Sequence, residues 1–541
     1  MRQSPFPHIP RGLLLLFGGL VMGFTPAPFH GWMLAWIAMV PLWLIILDGK
    51  SPSMGDGLWW GLGYHGLTLS WIRDLHPLTW MGIPWLSSVV IVAFCWVFIS
   101  LWGATMVALW VITMGWIRKI TLNSDSHYFS WWAILVGTAL WCSLEWLWSL
   151  SPLSWTSLSF TQSPYNLVIL QLGQLSGPSL ITGAIAAVNG LLSMGIIQWK
   201  KTPHTALFSR QFPMGFGAAL ALLITCYGMG WYVYGRPPGE IPDPALRIGI
   251  IQGNIPTRIK LTPPGIQQAL QAYTGGYEKL AEQGVDAVVT PEGAFPFPWI
   301  ARSWSTNPLY HSIQAKGVPI WLGAQGLRHG KLTQDLITIN RDGSILSHYE
   351  KIKLVPLGEY LPLEPILSRF LGRLSPLRNS LQPGSMDQRV NSPFGPVVVG
   401  ICYDSAFSEI FRRQTAAGGE FIVTASNNDP YNKVMMAQHH AQDVLRAVET
   451  DRWVVRATNT GYSGLVDPYG HTRWLSQPNE YSLNVVNLYR RQSFTPYVRY
   501  GDWFTPTLVI VSLVSGLGGS GMGFNVLRLK VMGFVHRHPY P

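Results

Sequence analysis

The chain has 541 residues, of which 48% are hydrophobic and only 12% are charged, against about 25% charged residues in an ordinary soluble domain. This composition excludes a simple soluble enzyme, and 26 Trp residues exclude a disordered polymer, because aromatic side chains at this density bury surface readily. The formal net charge of +11 is shared between residues 235–500, with 26 Lys and Arg against 21 Asp and Glu, and the remainder, with 12 against 6. No basic patch dominates, so we expect no nucleic-acid partner.

Long apolar segments dominate both ends of the chain. A helix that crosses a bilayer needs about 20 apolar residues, and such segments lie near 12–29, 31–48, 57–73, 85–117, 130–150, 176–199, 213–234 and 503–523. The segment at 85–117 is too long for one perpendicular crossing, and no polar turn divides it, so we expect one strongly tilted or partly interfacial helix. The sequence predicts a multi-pass α-helical membrane domain of about eight transmembrane helices: seven in residues 1–234 and one in residues 501–541.

The distribution of Lys and Arg predicts the orientation, because short cytoplasmic loops carry an excess of these residues. With the N-terminus inside, the only Lys or Arg in a short outside loop is Arg73, whereas eleven lie inside: Arg2, Arg11, Lys50, Arg118, Lys119, Lys200, Lys201, Arg210, Arg528, Lys530 and Arg537. We therefore expect an inner-membrane protein with residues 235–500 on the periplasmic side and both termini in the cytoplasm. A cleaved signal peptide is the alternative for the N-terminal stretch, but a small-residue cleavage pattern is missing before the next segment.

Glu145 is an acid at predicted membrane depth. Such a residue is costly to bury and is by default a functional hypothesis. The alternative is an acid that is paired or hydrogen-bonded within the helix bundle or near its outer edge.

After residue 235 the long apolar runs give way to short β-branched runs. Strands are predicted in ALRIGIIQGN, DAVVTPEG, VPIWLGAQG, LITINRDGSILSHYEK, PVVVGICYD, EFIVTASNN and WVVRATNTGYSGLVDPYG, by their β-branched content and turn signals. Apolar residues at helical spacing predict helices over 264–283 and 434–450. Strands that alternate with helices over this length indicate an α/β layered domain.

Three strand ends carry candidate chemistry. Glu292 follows DAVVTP, at a point where a buried carboxylate stays reachable and can act as a general base. Lys351 lies in YEKIK after a hairpin-like turn, and Cys402 ends VVVGICYD, where a thiol at a strand-to-turn junction is exposed to substrate. Each residue taken singly also has an interpretation without function. A lone Cys at a strand end usually belongs to the hydrophobic core, and a lone Glu or Lys usually lies on the surface.

Together, the order Glu, Lys, Cys in these local sequences resembles the nitrilase, or carbon-nitrogen hydrolase, superfamily. The resemblance extends to GGEFIVTASNND and RAVETDRWVVRATNTGYSGLVDPYGH. It implies an αββα sandwich in which Glu292 is the general base, Lys351 stabilises the oxyanion and Cys402 is the nucleophile. It also implies supporting residues, namely Glu359 in LGEYLP and the two residues after the cysteine, Tyr403 and Asp404.

Over nearly the full chain, the combination of this domain with eight apolar segments resembles the apolipoprotein N-acyltransferase family. The closest pieces are IQGNIP, LVPLGEYLPLE and ICYD. The resemblance implies that a phospholipid gives an acyl group to the cysteine and that the thioester passes it to the α-amine of a diacylglyceryl apolipoprotein, in a monomer without cofactor or metal. The chain departs from the usual family pattern at Thr290, Asp404 and Leu261, which puts the detailed acyl and acceptor contacts in question.

Two other functions remain as alternatives. A membrane-tethered nitrilase-type amidase would hydrolyse a small C–N substrate with the same three residues, although it does not need eight spans. A transporter with an outer binding module is weaker, because few charged residues lie within the spans and none forms a pathway.

Several neighbouring residues have ordinary interpretations. His439 and His440 are adjacent, so on a helix they diverge by about 100° and cannot share one metal; we expect a solvated pair. Lys353 is a second candidate for the role of Lys351. Four aromatic residues are as readily core as acyl contacts: Phe295, Phe297, Trp299 and Tyr403.

Overall fold

The computed structural model describes residues 10–48, 51–121, 127–201, 213–236, 244–299, 306–361 and 380–518. The helices of the N-terminal part are α1 (Arg11–Gly23), α2 (Val40–Leu47), α3 (Met54–Thr68), α4 (Trp85–Thr121), α5 (His127–Ser149), α6 (Leu167–Leu170), α7 (Gly173–Ser176), α8 (Pro178–Lys201) and α9 (Met214–Tyr234). Each predicted apolar segment in this part contains one of these helices. As expected, α4 is a single unbroken helix of 37 residues.

The helices differ in their capacity to span a bilayer. In the described part of the chain, three are long and apolar enough by length and composition, namely Trp85–Ile120, Pro178–Lys201 and Met214–Tyr234. The segment near 31–48 is divided into a 3₁₀ helix, Trp32–Trp36, and α2, because Pro41 has no N–H and favours a new helix start. The count of eight spans therefore stays a prediction.

Small residues bring α1 and α3 into close contact. A Cβ atom added at Gly19 would lie 2.0 Å from the carbonyl oxygen of Trp60, and one added at Gly63 would lie 2.5 Å from that of Leu16. Glycine at these positions lets the two backbones approach, as is usual for helix pairs in membranes.

Glu145 on α5 is fully hydrogen-bonded within the bundle. Its carboxylate accepts from the Thr182 hydroxyl at 2.6 Å, the Ser157 hydroxyl at 3.0 Å and the backbone N–H of Leu158 at 2.8 Å. These contacts agree with the hydrogen-bonded alternative, and they hold the loop after α5 against α5 and α8.

Thirteen strands occur in the described part of the C-terminal domain. They are β1 (Leu246–Gln252), β2 (Ala287–Val289), β3 (Phe295–Pro298), β4 (Ile320–Arg328), β5 (Lys331–Ile339), β6 (Ile345–Glu350), β7 (Val390–Ser392), β8 (Gly395–Ile401), β9 (Ile422–Ser426), β10 (Val454–Thr458), β11 (Gly464–Val466), β12 (Thr472–Leu475) and β13 (Ser482–Leu488). One sheet has the order β13-β1-β2-β4-β5-β6, with β3 beside β4, and the other has the order β12-β11-β10-β9-β8-β7.

The centre of each sheet is parallel. β1, β2 and β4 run parallel in the first sheet, and β8, β9 and β10 run parallel in the second. Every residue of β2, β9 and β10 is buried, as expected of parallel strands covered on both faces. The chain therefore brings the carboxyl ends of these strands to one region of the domain.

Helices cover the outer face of each sheet. The remaining helices are α10 (Thr257–Lys260), α11 (Pro263–Glu282), α12 (Pro308–Lys316), α13 (Ser408–Ala416), α14 (Lys433–Thr450), α15 (Pro496–Tyr500) and α16 (Phe504–Gly518). α11 packs on β1, β2 and β13, α13 on β8, and α14 on β10 and β11, while β1 meets β10 and β5 meets β8 between the sheets. The predicted αββα sandwich is confirmed, and it follows a helical N-terminal region.

One buried side chain of helix α14, Gln438, hydrogen-bonds to three groups of the N-terminal part. The Gln438 carbonyl accepts from the indole N–H groups of Trp155 at 2.8 Å and Trp71 at 3.2 Å, and its amide donates to the Thr68 carbonyl at 3.1 Å. One carboxamide thus satisfies three polar groups, at the end of α3, in the segment that follows it and in the loop after α5.

We predict that Gln438→Leu destabilises the protein markedly. Two buried indole N–H groups and one carbonyl would lose their partner, at a cost of roughly 1–3 kcal/mol each. The midpoint of thermal unfolding in detergent should fall clearly below that of Gln283→Leu, a control at an exposed position after α11. Equal midpoints for the two variants would contradict the assigned role of Gln438.

Candidate active site

Three residues predicted from strand ends come together between the two sheets. Glu292 follows β2, Lys351 follows β6 and Cys402 follows β8, and all three are buried. The Lys351 ammonium lies 2.8 Å from Glu292 Oε1. The topology thus brings together three residues that are spread over more than a hundred positions of the sequence.

The Lys351 ammonium is shared between two carboxylates. Besides Glu292, its Nζ lies 2.6 Å from Glu359 Oε1, and only 1% of the side chain is exposed. The second oxygen of Glu359 accepts from the Val355 N–H at 2.8 Å, and the second oxygen of Glu292 accepts from the Asn427 N–H at 3.0 Å. Each carboxylate is therefore held on both sides, which fixes the direction in which the ammonium points.

Burial and charge oppose each other at this cluster. Burial lowers the pKa of Lys351, but the charges of Glu292 and Glu359 outweigh it and hold that pKa well above its ordinary value. Burial raises the pKa of Glu359, against the opposing charge of Lys351. The lysine therefore stays an ammonium at neutral pH.

Cys402 occupies a sharp turn at the end of β8. Its φ angle is +50°, in the left-handed region that non-glycine residues seldom adopt and that recurs at functional sites. The thiol lies 3.9 Å from the Asn427 carbonyl oxygen. Burial raises the pKa of this thiol, the nearby Glu292 charge raises it further, and Lys351 opposes both. At rest the thiol is therefore protonated, and a base must remove its proton before it attacks.

A second buried lysine, Lys260 at the end of α10, was not predicted. Its ammonium donates to the backbone carbonyl of Glu292 at 3.0 Å. Burial lowers the pKa of Lys260 to about 8, although the charges of Glu292 and Asp429 act in the other direction. The only sequence signal was its place shortly after IQGNIP, next to Leu261, whose side chain is exposed.

The turn that presents Glu292 depends on a glycine in the neighbouring strand. A Cβ atom at Gly323 in β4 would lie 1.9 Å from the Pro291 carbonyl oxygen. The Thr290 hydroxyl accepts from the Gly323 N–H at 2.9 Å and donates to the Trp321 carbonyl at 3.2 Å. Thr290 thus fastens this turn to β4.

Asp404 and Tyr403 fix the turn that follows the cysteine. Asp404 accepts from the N–H groups of Ile401 at 3.0 Å and Lys353 at 2.7 Å and from the Tyr349 hydroxyl at 3.0 Å. Burial raises the pKa of Asp404 to about 6. Asp404 therefore ties the cysteine turn to the segment that carries Lys351.

Tyr403 points towards the membrane domain. Its hydroxyl donates to the carbonyl oxygens of Pro152 at 3.0 Å and Ser154 at 2.9 Å, and its ring stacks on Trp155 with centroids 6.0 Å apart. The residue next to the thiol is thus in direct contact with the loop after α5.

Other predicted candidates lie elsewhere. The Lys353 ammonium sits over the Phe407 ring at 4.4 Å, away from the two glutamates that hold Lys351. Phe295 and Trp299 are buried in the core between α11 and the first sheet, with Phe297 stacked on Phe295. The described residues contain no group of three or more His, Cys, Asp or Glu that could hold a metal ion.

The expectation that His439 and His440 form a solvated pair is wrong. Both side chains are buried, because α14 lies between the second sheet and the membrane-domain loops and has no free face. His439 Nε2 lies 2.8 Å from the Cys402 carbonyl oxygen, and His440 Nε2 lies 2.8 Å from the Thr472 hydroxyl. Their different partners do agree with the predicted divergence of the two rings.

A cleft of about 380 Å³ opens beside the cluster. Its walls come from both domains, with Leu150 and Pro152 on one side and Ile352, Leu354 and Tyr360 on the other. The cleft is mostly apolar, and it adjoins the segment between Lys351 and Glu359.

Comparisons with known proteins agree with both parts of the chain. Residues 247–477 match the carbon-nitrogen hydrolase family, and residues 18–191 match the apolipoprotein N-acyltransferase N-terminal domain. Among solved structures, an amidase from Nesterenkonia sp. AN1 is 18% identical, with a TM-score of 0.38, and the match covers 48% of this chain and 95% of the amidase.

Curated relatives match over nearly the whole length. An apolipoprotein N-acyltransferase from Nostoc sp. is 48% identical over 91% of this chain and 96% of its own. One from Synechocystis sp. is 42% identical over 92% and 98%, and one from Pseudomonas aeruginosa is 28% identical over 96% and 98%. The chain therefore belongs to the apolipoprotein N-acyltransferase family.

Proposed function

We propose that this enzyme transfers a fatty acyl group from a phospholipid, through a thioester on Cys402, to the α-amine of an S-diacylglyceryl-cysteine at the N-terminus of an apolipoprotein. The observation that carries the proposal is the ammonium of Lys351 between two carboxylates, beside a buried thiol at a strained turn. The full-length match to N-acyltransferases, helices included, favours transfer over hydrolysis by a membrane-tethered amidase.

In the first half-reaction Glu292 acts as the general base. It takes the proton from the Cys402 thiol as the sulfur attacks the ester carbonyl. The negative oxygen that forms is stabilised by the Lys351 ammonium and by the backbone N–H of Tyr403. The C–O bond then breaks, the departing alkoxide receives the proton from Glu292, and a lysophospholipid leaves an acyl group on sulfur.

In the second half-reaction the amine of the acceptor attacks the thioester. Glu292 takes a proton from the amine, the C–S bond breaks, and the thiolate of Cys402 recovers a proton as the amide forms. Two half-reactions that share one site imply ping-pong kinetics. The apolar cleft between the domains is suited to hold an acyl chain and keep bulk water from the thioester.

We further propose that the catalytic domain faces the periplasm and that the chain acts as a monomer. The Ser179 hydroxyl, at the start of α8, donates to Asp502 at 2.6 Å, at the edge of the catalytic domain. A 24-residue helix rises about 36 Å, so Lys200 and Lys201 lie at the opposite, cytoplasmic end.

We predict that the three site residues fail as a unit. Cys402→Ser, Lys351→Met and Glu292→Gln should each lower the rate of transfer by roughly 10³-fold or more, because the nucleophile, charge and base act in one step. The assay follows labelled acyl groups from phospholipid to a diacylglyceryl-cysteinyl peptide, with thermal unfolding as a check on folding.

The matched control for this set is Lys353→Met, which should retain most of the transfer rate because that ammonium lies over Phe407. Substantial transfer by Lys351→Met together with loss in Lys353→Met would move the role to Lys353.

We predict that a reporter enzyme active only outside the cytoplasm works when fused after Tyr234 and is silent when fused after Lys201. The reason is that α9 separates these two positions, and Lys201 is one of the basic residues predicted to lie on the cytoplasmic side. Reporter activity in living cells, normalised to the amount of fusion protein, provides the measurement. The reverse pattern would overturn the outward orientation of the catalytic domain.

A further inference from the structure

The backbone carbonyl of Cys402 is held by a buried histidine. His439 Nε2 lies 2.8 Å from that oxygen, and since a carbonyl only accepts, Nε2 carries the hydrogen. Nδ1 then accepts from the side-chain amide of Asn428 at 2.9 Å. Burial lowers the pKa of His439 to about 3, so the ring is neutral, and these two partners fix its tautomer.

The Cys402 carbonyl belongs to the same peptide group as the Tyr403 N–H, which is proposed to stabilise the oxyanion. The C=O of Cys402 and the N–H of Tyr403 lie in one planar trans peptide and point in opposite directions. The hydrogen bond from His439 on one side therefore sets where the N–H points on the other. Because Cys402 sits at φ +50°, this peptide lies in a turn that needs support from its surroundings.

The histidine itself is held from several directions. Arg456 donates to the His439 carbonyl at 3.3 Å and is paired with Asp443 at 2.6 Å. The ring also packs against Trp155, with centroids 6.0 Å apart. A neutral, fully buried donor fixed in this way does not act as a base. It fixes the orientation of the Cys402 carbonyl group.

We propose that His439 is a positioning residue, which orients the Cys402–Tyr403 peptide so that the Tyr403 N–H meets the oxyanion formed during acylation. The proposal rests on the nucleophilic role proposed for Cys402. In this role His439 helps to stabilise the transition state of acylation and does not change substrate binding.

Two substitutions of nearly equal polarity separate the two hydrogen bonds of His439. In His439→Gln the amide nitrogen falls near the former Nε2 and can still donate to the Cys402 carbonyl. In His439→Asn the shorter side chain reaches Asn428 but not Cys402. His440→Gln and His440→Asn are matched controls, because that neighbouring ring is also buried but bonds to Thr472.

The measurement is kcat and KM for full-length protein in detergent with a labelled mixture of phosphatidylethanolamine and phosphatidylglycerol, together with thermal unfolding. We expect His439→Asn to lose roughly 10-fold to 100-fold in kcat with KM unchanged, His439→Gln to recover most of that loss, and both His440 variants to keep kcat. A normal kcat in His439→Asn, or a loss that follows the fall in unfolding temperature equally in all four variants, would overturn the proposal.

Cys402→Ala, measured alongside, separates this inference from the proposed function. Acyl transfer by Cys402→Ala would refute the nucleophile and with it the role of His439. An inert Cys402→Ala combined with a fully active His439→Asn would refute the positioning role alone.

Discussion

The buried ammonium of Lys351 is the interaction on which the site depends. An ammonium taken out of water costs several kcal/mol unless carboxylates compensate it, and here Glu292 and Glu359 both lie within 2.8 Å. Each partner then constrains the others: the two carboxylates hold the charge on lysine, and the lysine keeps the two carboxylates close to a thiol. Burial and the Glu292 charge raise the pKa of Cys402, so its thiol is protonated at rest.

The second constraint is the contact between the domains. On helix α14, Gln438 hydrogen-bonds to the membrane domain. Its neighbour His439 hydrogen-bonds to the cysteine turn. Trp155 from the loop after α5 packs against both His439 and Tyr403. One turn of α14 thus connects the cysteine turn to the membrane domain. A soluble hydrolase has no need of this connection, and Pro152, which accepts a hydrogen bond from Tyr403, also lines the apolar cleft shared by both domains.

The sequence predicted those features that repeat a local pattern. Strand ends with distinctive neighbours led to Glu292, Lys351 and Cys402, and turn and periodicity signals led to most strands and to α11 and α14. Lys260 was not found, and His439 was wrongly expected to be solvated, because the significance of each lies in contacts across the fold: Lys260 reaches the carbonyl of Glu292, and α14 has no free face. β13, which pairs with β1, escaped prediction because its asparagines interrupt the β-branched run. Hydropathy located the apolar helices, but it did not anticipate the break at Pro41.

The most direct test of the account is the fate of the acyl group on Cys402. Purified full-length protein in detergent, incubated with phospholipid alone and examined by intact mass and peptide mapping, should carry one acyl group on Cys402 and release a lysophospholipid. A diacylglyceryl-cysteinyl peptide with a free α-amine should discharge that adduct quickly, and the same peptide N-acetylated should not. An adduct that decays to free fatty acid at a rate indifferent to the peptide, or acyl mass on a residue other than Cys402, would contradict the account.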